Sequence, residues 1–388
     1  MKVEDILMEL KDLRKNMDEI DEKLVSLFCE RMSTAEQIAE YKREKEMPVM
    51  DASREREKLA SVSELAGDEM SDYITVLYSL LFELSRAYQG KILGLSSETQ
   101  KKVEKAIEGT EKLFPQKASV ACQGVEGAYS QLACEKLFKL PSILYLRDFE
   151  NVFTAIESGL CKYGVIPLEN STAGSVNKVY DLMIKHDFSI IRSVRIKVDH
   201  NLLAKRGTKL EDIKEIFSHE QAINQCGEFI KGLHKDVKIT PVENTAVAAK
   251  LVAESGRNDV AAISSRSCID LYGLKCIQSS VQDKGNNYTR FICISKNLEI
   301  YPGADRTSIM LVTAHRPGAL YKVLARFYAL GINLIKLESR PLPDRDFEFM
   351  FYFDLDTSVY SEQFIQLLAE LQYVCEEFKY LGSYSEVI

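Results

Sequence analysis

The chain has nine cysteines but no C-x-x-C pair, and only five histidines accompany them. That excludes a disulfide framework and a zinc site, and reads as reduced thiols in a cytoplasmic, metal-free protein. No apolar run reaches the roughly 18 residues a membrane span requires, and the acidic N-terminus lacks the character of a signal peptide. No long basic block opposes the net charge of -8, which argues against a nucleic-acid partner. No G-x-G-x-x-G follows a strand-like run, so a dinucleotide-binding dehydrogenase is disfavoured and no cofactor is expected. What remains is 388 residues, 46% hydrophobic and 28% charged, enough for two to three globular domains with cores of their own.

From Val3 to about Lys45 there is neither glycine nor proline. Leu10, Leu13, Met17, Ile20, Leu24 and Leu27 recur at alternating three and four spacing, and the seam continues to Ile38 and Tyr41. This predicts one long helix with a coiled-coil-like stripe. The next seam position is Arg31, and a guanidinium there needs an anion to meet it. Lys42 lies about 20° around the helix from Arg31, so both cations face one interior, while Arg14 sits about 100° away and suits a different site across a helix pair. Pro48 ends the helix, and Asp51 reads as the N-cap of a second, with Arg54 and Glu55 in its first turns. A third runs from about Ser71 to Gln89, its stripe of Tyr78, Leu81 and Phe82 continuing into polar Ser85 and Gln89. Together these groups form a cage for a compact dianion.

This segment, residues 1–92, resembles the all-helical chorismate mutases. The match covers Leu13-Arg14, Glu30-Arg31, Tyr41-Lys42, Asp51-x-x-Arg54-Glu55 and Ser85-x-x-x-Gln89, with no departure at these positions. The resemblance implies an intertwined dimer in which Arg14 completes the partner subunit's site. It implies that Lys42 and Gln89 bond the breaking ether oxygen, that Arg14, Arg31 and Arg54 hold carboxylates, and that Asp51 and Glu55 address the hydroxyl region. A pericyclic rearrangement needs no nucleophile, only a compact conformation and stabilised charge.

Residues 93–116 read as linker with a charged helical piece, Glu98 to Leu113, closed by Pro115. From Ala118 short β-branched runs alternate with helices, the texture of an α/β domain over 117–297. Strand Ser119–Cys122 leads into the glycine turn Gly124–Ser130, which lacks a Walker lysine and opens a helix whose first amides suit an anion. Strand Tyr163–Pro167 ends in Leu168-Glu169-Asn170-Ser171-Thr172-Ala173-Gly174-Ser175, a polar cluster at a strand's carboxyl end, where α/β sheets place ligands. A strand over Ile190–Val198, the helix-opening run Ser218–Cys226, Glu243–Ala246, strand Val260–Ile263 and Tyr272-Gly273-Leu274 follow. His219, taken alone, reads as a structural histidine. Then Asn286-Asn287-Tyr288-Thr289-Arg290-Phe291 runs into the apolar Ile292-Cys293-Ile294, placing a hydroxyl and a planar guanidinium fork at a strand's mouth.

In order and spacing these blocks resemble prephenate dehydratase. The family usually carries proline where Glu220 stands and commonly glutamate where Ala173 stands. The resemblance implies two α/β lobes, like a periplasmic-binding-protein fold, with the substrate in the cleft between them. It makes Thr289 a positioned donor to the departing hydroxyl, gives Arg290 a carboxylate to anchor or the loop to position, and completes the polar cleft with Glu169, Asn170, Ser171 and Gln221.

Over residues 305–388 the order is βαββαβ: strand Thr307–Val312, helix from Pro317 to Leu330 capped by Gly331, strand Ile332–Arg340, strand Phe347–Leu355, helix Ser361–Leu371 and strand Cys375–Tyr380. This ferredoxin-like α+β unit resembles the ACT regulatory domain. Gly318-Ala319-Leu320 and Glu338-Ser339-Arg340-Pro341 match its phenylalanine-binding motifs. The whole is expected to be a multi-domain enzyme, all-α then two-lobed α/β then α+β, that binds chorismate, prephenate and L-phenylalanine and forms a homodimer or homotetramer. The competing readings are a non-catalytic amino-acid sensor and an enzyme with only one live site.

Overall fold

Over the N-terminal stretch free of glycine and proline, the backbone runs as one helix, Val3–Glu44. The computed structural model describes residues 3–49, 51–93, 97–342, 345, 348–371 and 374–388, without the side chains of residues 3–9 and 91. The chain forms two compact units, Met1–Gln100 with Gln366–Leu371, and Lys101–Ile365 with Gln372–Ile388. In the first unit the long helix is followed by the run Ala52–Ile92, which breaks at Gly67 (φ 70°, ψ 167°) into the two helices the sequence predicts. The Asp51 carboxylate accepts the Arg54 N–H at 3.0 Å, the expected cap. The apolar seam is uncovered: Leu13 is 65% exposed, Met17 57% and Leu27 62%.

The second unit opens with the charged helix Glu98–Gly109, which stops short of Leu113. Strand Lys117–Gln123 pairs in parallel with Leu140–Leu146 and with Tyr163–Asn170. Tyr288–Ser295 then lies antiparallel between Tyr163–Asn170 and Ser189–Lys197. The two central strands, Tyr163–Asn170 and Tyr288–Ser295, are largely buried on both faces and accordingly carry near-continuous apolar runs. A second sheet takes Lys275–Gln278, Asn201–Ala204, Val260–Ser264, Glu215–Ser218 and Lys238–Pro241, in that spatial order. The chain therefore passes between two α/β lobes twice, at 198–200 and 279–287. Asp148 and Asn244 cap helices Phe149–Glu157 and Thr245–Glu254 with their side chains.

A four-stranded antiparallel sheet follows, spatially ordered Asn333–Pro341, Phe349–Asp356, Arg306–Val312, Glu377–Tyr384. With helices Ala319–Ala329 and Glu362–Leu371 it gives the βαββαβ order of a ferredoxin-like unit. Phe347, the expected start of its third strand, lies outside the described residues, and the last strand extends to Tyr384. Met310, Val312, Met350, Tyr352, Leu381 and Tyr384 pack into the same core as Tyr180, Met183, Ile190 and Ile292 of the first lobe. One face of this sheet is thus fixed against that lobe. No described helix is long and apolar enough to cross a membrane.

Candidate active sites

Register sets the geometry of the first site. Thr289 lies opposite Asn170 and Arg290 opposite Glu169 on neighbouring antiparallel strands. Because side chains alternate along a strand, Thr289 and Asn170 share one face, and Arg290 and Glu169 share the other.

On the first face the two lobes bound a cleft of about 580 Å³ lined by Asn170, Thr289, Gln221, Gln225, His200 and Tyr129, among others. The Asn170 carbonyl oxygen accepts the N–H groups of Thr172 (3.0 Å) and Ala173 (2.9 Å), which shapes the turn and fixes the amide's orientation. Its amide nitrogen then donates to Thr289 Oγ1 at 3.0 Å and to Asn287 Oδ1 at 2.7 Å. With a lone pair of Thr289 Oγ1 so occupied, its own hydrogen is left for a ligand. Ser171 does not line the cleft. It donates to Asn286 O (3.1 Å) and accepts the Tyr288 N–H (2.9 Å), stitching the turn to the strand's mouth. His219 caps helix Glu220–Gln225, accepting the Gln221 N–H, so the structural reading of this histidine holds although it also borders the cleft. Glu220 is exposed in that helix's first turn, where a carboxylate suits the helix dipole.

On the second face the expectation that Glu169 completes the polar cleft is corrected, while Arg290, of its two expected roles, is placed to position the loop through Glu169. Arg290 is 4% exposed and ion-paired with Asp354 of the four-stranded sheet and with Glu169, its Nε 2.8 Å from Oε1. Glu169 is also held by Lys336 at 2.6 Å. Neither reaches the cleft, because each is one residue out of phase with a residue that does. Burial opposes the guanidinium's charge, but the Asp354 carboxylate outweighs it and holds the pKa well above its ordinary value, so Arg290 stays charged.

The expected regulatory residues divide the same way. Gly318, Ala319 and Leu320 line a cavity of about 510 Å³ with His315, Phe349 and Phe351. Ser339 is exposed and lies opposite Phe351 in register. Glu338 and Arg340 do not line this cavity. Glu338 accepts from Ser175, and Arg340 grips Asp181 through two bonds of 2.8 and 3.0 Å. Alternation again puts them on the face turned to the first lobe.

In the helical unit Arg31 reaches Ser85 Oγ and the Leu81 carbonyl (3.3 Å), and burial lowers its pKa. Lys42 donates to the Val49 carbonyl at 2.5 Å. Gln89 is buried and its Oε1 has no partner. Asp51 is the cap described above, and Arg14 is exposed on the first helix. Arg54 lies in an exposed ion pair with Glu57 (2.7 Å), and Glu55 is ion-paired with Arg86, which also holds Glu83 at 2.6 Å.

Residues 13–90 match the family model for chorismate mutase type II, and residues 120–299 match that for prephenate dehydratase. The bifunctional chorismate mutase/prephenate dehydratase of Aquifex aeolicus is 31% identical over 383 residues, 98% of this chain and 99% of that protein. The chain belongs to the bifunctional chorismate mutase/prephenate dehydratase family. It is an enzyme of phenylalanine biosynthesis that rearranges chorismate to prephenate and converts prephenate to phenylpyruvate. The solved prephenate dehydratase of Arthrobacter aurescens in complex with L-Phe is 25% identical, with a TM-score of 0.64, over 69% of this chain and 90% of that one. A structure described as a novel type of quorum-quenching acylase is 30% identical, with a TM-score of 0.62, over 69% of this chain and 97% of that one.

Sequence reasoning did not single out three polar residues that border these groups, Gln225, His200 and Arg86, whereas Asn287 belongs to the polar strand mouth read from the sequence. Gln225 carried a signal, since it stands one helical turn after Gln221 and so shares its face. Arg86 adjoins Ser85. His200 and Asn287 sit at the two lobe crossings, and nothing in their sequence neighbourhoods indicates that they meet.

Proposed function

We propose that the two reactions run at separate sites, the mutase in residues 1–92 and the dehydratase in residues 117–297. Residues 93–116 act as linker, and residues 305–388 as an ACT domain that binds L-phenylalanine. The observation that carries the dehydratase assignment is the Thr289 hydroxyl, oriented by Asn170 at the edge of a polar cleft.

Prephenate loses its ring hydroxyl and its ring carboxylate together. The electron pair of the breaking C–CO2 bond enters the ring, the C–OH bond breaks, and one proton delivered to the departing oxygen makes water. A threonine hydroxyl is a poor acid, so Thr289 stabilises the leaving oxygen by a positioned hydrogen bond, and aromatisation drives the step. Among the described residues, those lining the cleft include Glu243 but neither arginine nor lysine, and Lys284 lines an adjoining cavity that shares Gln221 and Gln225. The substrate's anionic groups therefore meet neutral donors, among them the amides at the start of helix Tyr129–Leu137, whose N-cap Ala128 supplies no side-chain bond. Two lobes joined by two crossings suit closure of the periplasmic-binding-protein kind, which would exclude water from the charge separation.

At the mutase site Lys42 and Gln89 would bond the ether oxygen, with Arg31 on a carboxylate and Arg14 supplied by a partner subunit. Asp51 and Glu55 address the hydroxyl region, and Arg86 orients Glu55. The uncovered seam on Val3–Glu44 supports a second copy against it, hence a homodimer or a homotetramer. Co-expression of Arg14→Ala with Arg31→Ala, each inactive as a mutase alone, is expected to restore about a quarter of the wild-type chorismate turnover, because half of the mixed dimers' sites are intact. Turnover no greater than that of either variant alone would show that no site is shared. All nine cysteines are free, which supports a cytoplasmic setting.

The ligand-facing cavity at Gly318–Leu320 supports the regulatory reading. Phenylpyruvate formation from prephenate by the purified chain should fall when phenylalanine is added. By linkage, a substrate analogue should change phenylalanine affinity by the same factor. Turnover indifferent to phenylalanine would remove the regulatory assignment, and no turnover at all would favour a sensor.

A further inference from the structure

We propose that His200, at the first crossing between the lobes, is a positioning residue for prephenate dehydration: it fixes the Gln225 amide so that Gln225 presents its N–H groups to the cleft. The inference rests on the dehydratase site being the cleft at Thr289.

The argument follows one chain of hydrogen bonds whose direction is set by the backbone. Asn170 Oδ1 accepts two main-chain N–H groups, so the Asn170 amide cannot be turned over without facing donor against donor. Asn170 Nδ2 must then be the donor to Asn287 Oδ1 at 2.7 Å. Asn287 Nδ2 is in turn the donor to Gln225 Oε1 at 2.9 Å. Gln225 Oε1 also lies 2.9 Å from His200 Nε2. A bare ring nitrogen facing a carbonyl oxygen would repel it, so Nε2 carries the proton and the ring is held in a single tautomer. Gln225 Oε1 is thereby occupied by two donors from the two lobe crossings. Its NH2 remains as the group available to a ligand, on a side chain that lines the cleft.

The same deduction leaves His200 Nδ1 as a bare acceptor. His200 is 2% exposed, lines the cleft, and its Nδ1 has no partner. A buried acceptor left unpaired is a cost that packing alone does not call for. The Tyr129 ring packs edge-on at 6.2 Å and donates its hydroxyl to the Asp199 carbonyl at 2.8 Å, which confines the imidazole. Burial holds the imidazole pKa below its ordinary value, against the opposing Gln225 bond, so the ring is neutral.

The test separates positioning from mere packing by where a replacement puts its donor. A glutamine amide nitrogen falls near the position of Nε2, whereas an asparagine nitrogen falls near Nδ1 and leaves Gln225 without its second donor. His200→Asn is expected to lower kcat/KM for prephenate about 30-fold, and His200→Gln to recover it to within about fivefold of wild type. Chemical denaturation of the same preparations serves as the folding control for the second unit. In the background Gln225→Ala, adding His200→Asn should change kcat/KM by less than about twofold, because the histidine acts through that amide. Wild-type behaviour of His200→Asn, an equal loss in His200→Gln, or full additivity with Gln225→Ala would each overturn the proposal. Thr289→Ala is assayed alongside. If it stays active, the cleft is not the dehydratase site; if it is dead while the His200 series is unaffected, only the role given to His200 fails.

Discussion

Alanine at position 289 is expected to lower kcat for phenylpyruvate formation about 10²- to 10³-fold, the loss seen when one positioned donor is removed from a developing charge. Chorismate turnover by the same protein should be unchanged. The expectation follows from how the hydroxyl is held. Asn170 occupies a lone pair of Oγ1 at 3.0 Å, and Asn170 is itself anchored by the Thr172 and Ala173 amides, so the hydroxyl hydrogen has one useful direction left. The β-branch restricts χ1 as well. Serine keeps the hydroxyl and loses that restriction, so Thr289→Ser should fall between, at about a tenfold loss. Steady-state assays with prephenate decide it. A Thr289→Ala enzyme within tenfold of wild type would mean that the cleft at Thr289 is not the dehydratase site.

The residues that could be read correctly from sequence are those whose role depends on a local rule. The long helix follows from the absence of helix breakers, the Asp51 cap from its place before helical periodicity, and the strands from short β-branched runs. The site was legible as a cluster and misread in its facing. Glu169 beside Asn170, Arg290 beside Thr289, and Glu338, Ser339 and Arg340 in succession were each assigned to one ligand, though residues adjacent in a strand point to opposite faces. Applying the two-residue period to the motifs as well as to the apolar residues would have separated them. The remainder was not legible because it is set by long-range contact. His200 meets Gln225 across 25 residues, Glu55 meets Arg86 across 31, and Arg290 meets Asp354 across 64.

That last pair carries the other large expected effect. Arg290 and Asp354 are 4% and 1% exposed, so each is buried against the other where water cannot compensate a loss. Arg290→Met is expected to destabilise the second unit by about 3–5 kcal/mol, because Asp354 is then a buried carboxylate held only by hydroxyl donors, Ser308 at 2.6 Å and Tyr352. The double variant Arg290→Met/Asp354→Leu should recover most of that loss, since replacing both partners with apolar groups removes the desolvation cost along with the attraction. Chemical denaturation of the three proteins measures this directly, and a double variant no more stable than the single would sink the account. The same comparison bears on regulation. The Thr289 strand reaches the four-stranded sheet through Arg290, and the Asn170 turn reaches it through Glu169 and Ser175, both bonded to Lys336. If phenylalanine acts by shifting this sheet against the first lobe, the double variant should still form phenylpyruvate but need at least about tenfold more phenylalanine for half-inhibition. Unchanged inhibition would move the coupling from Arg290 to the Lys336 and Arg340 contacts, which reach the turn and the helix of Asp181 without passing through the strand that carries Thr289.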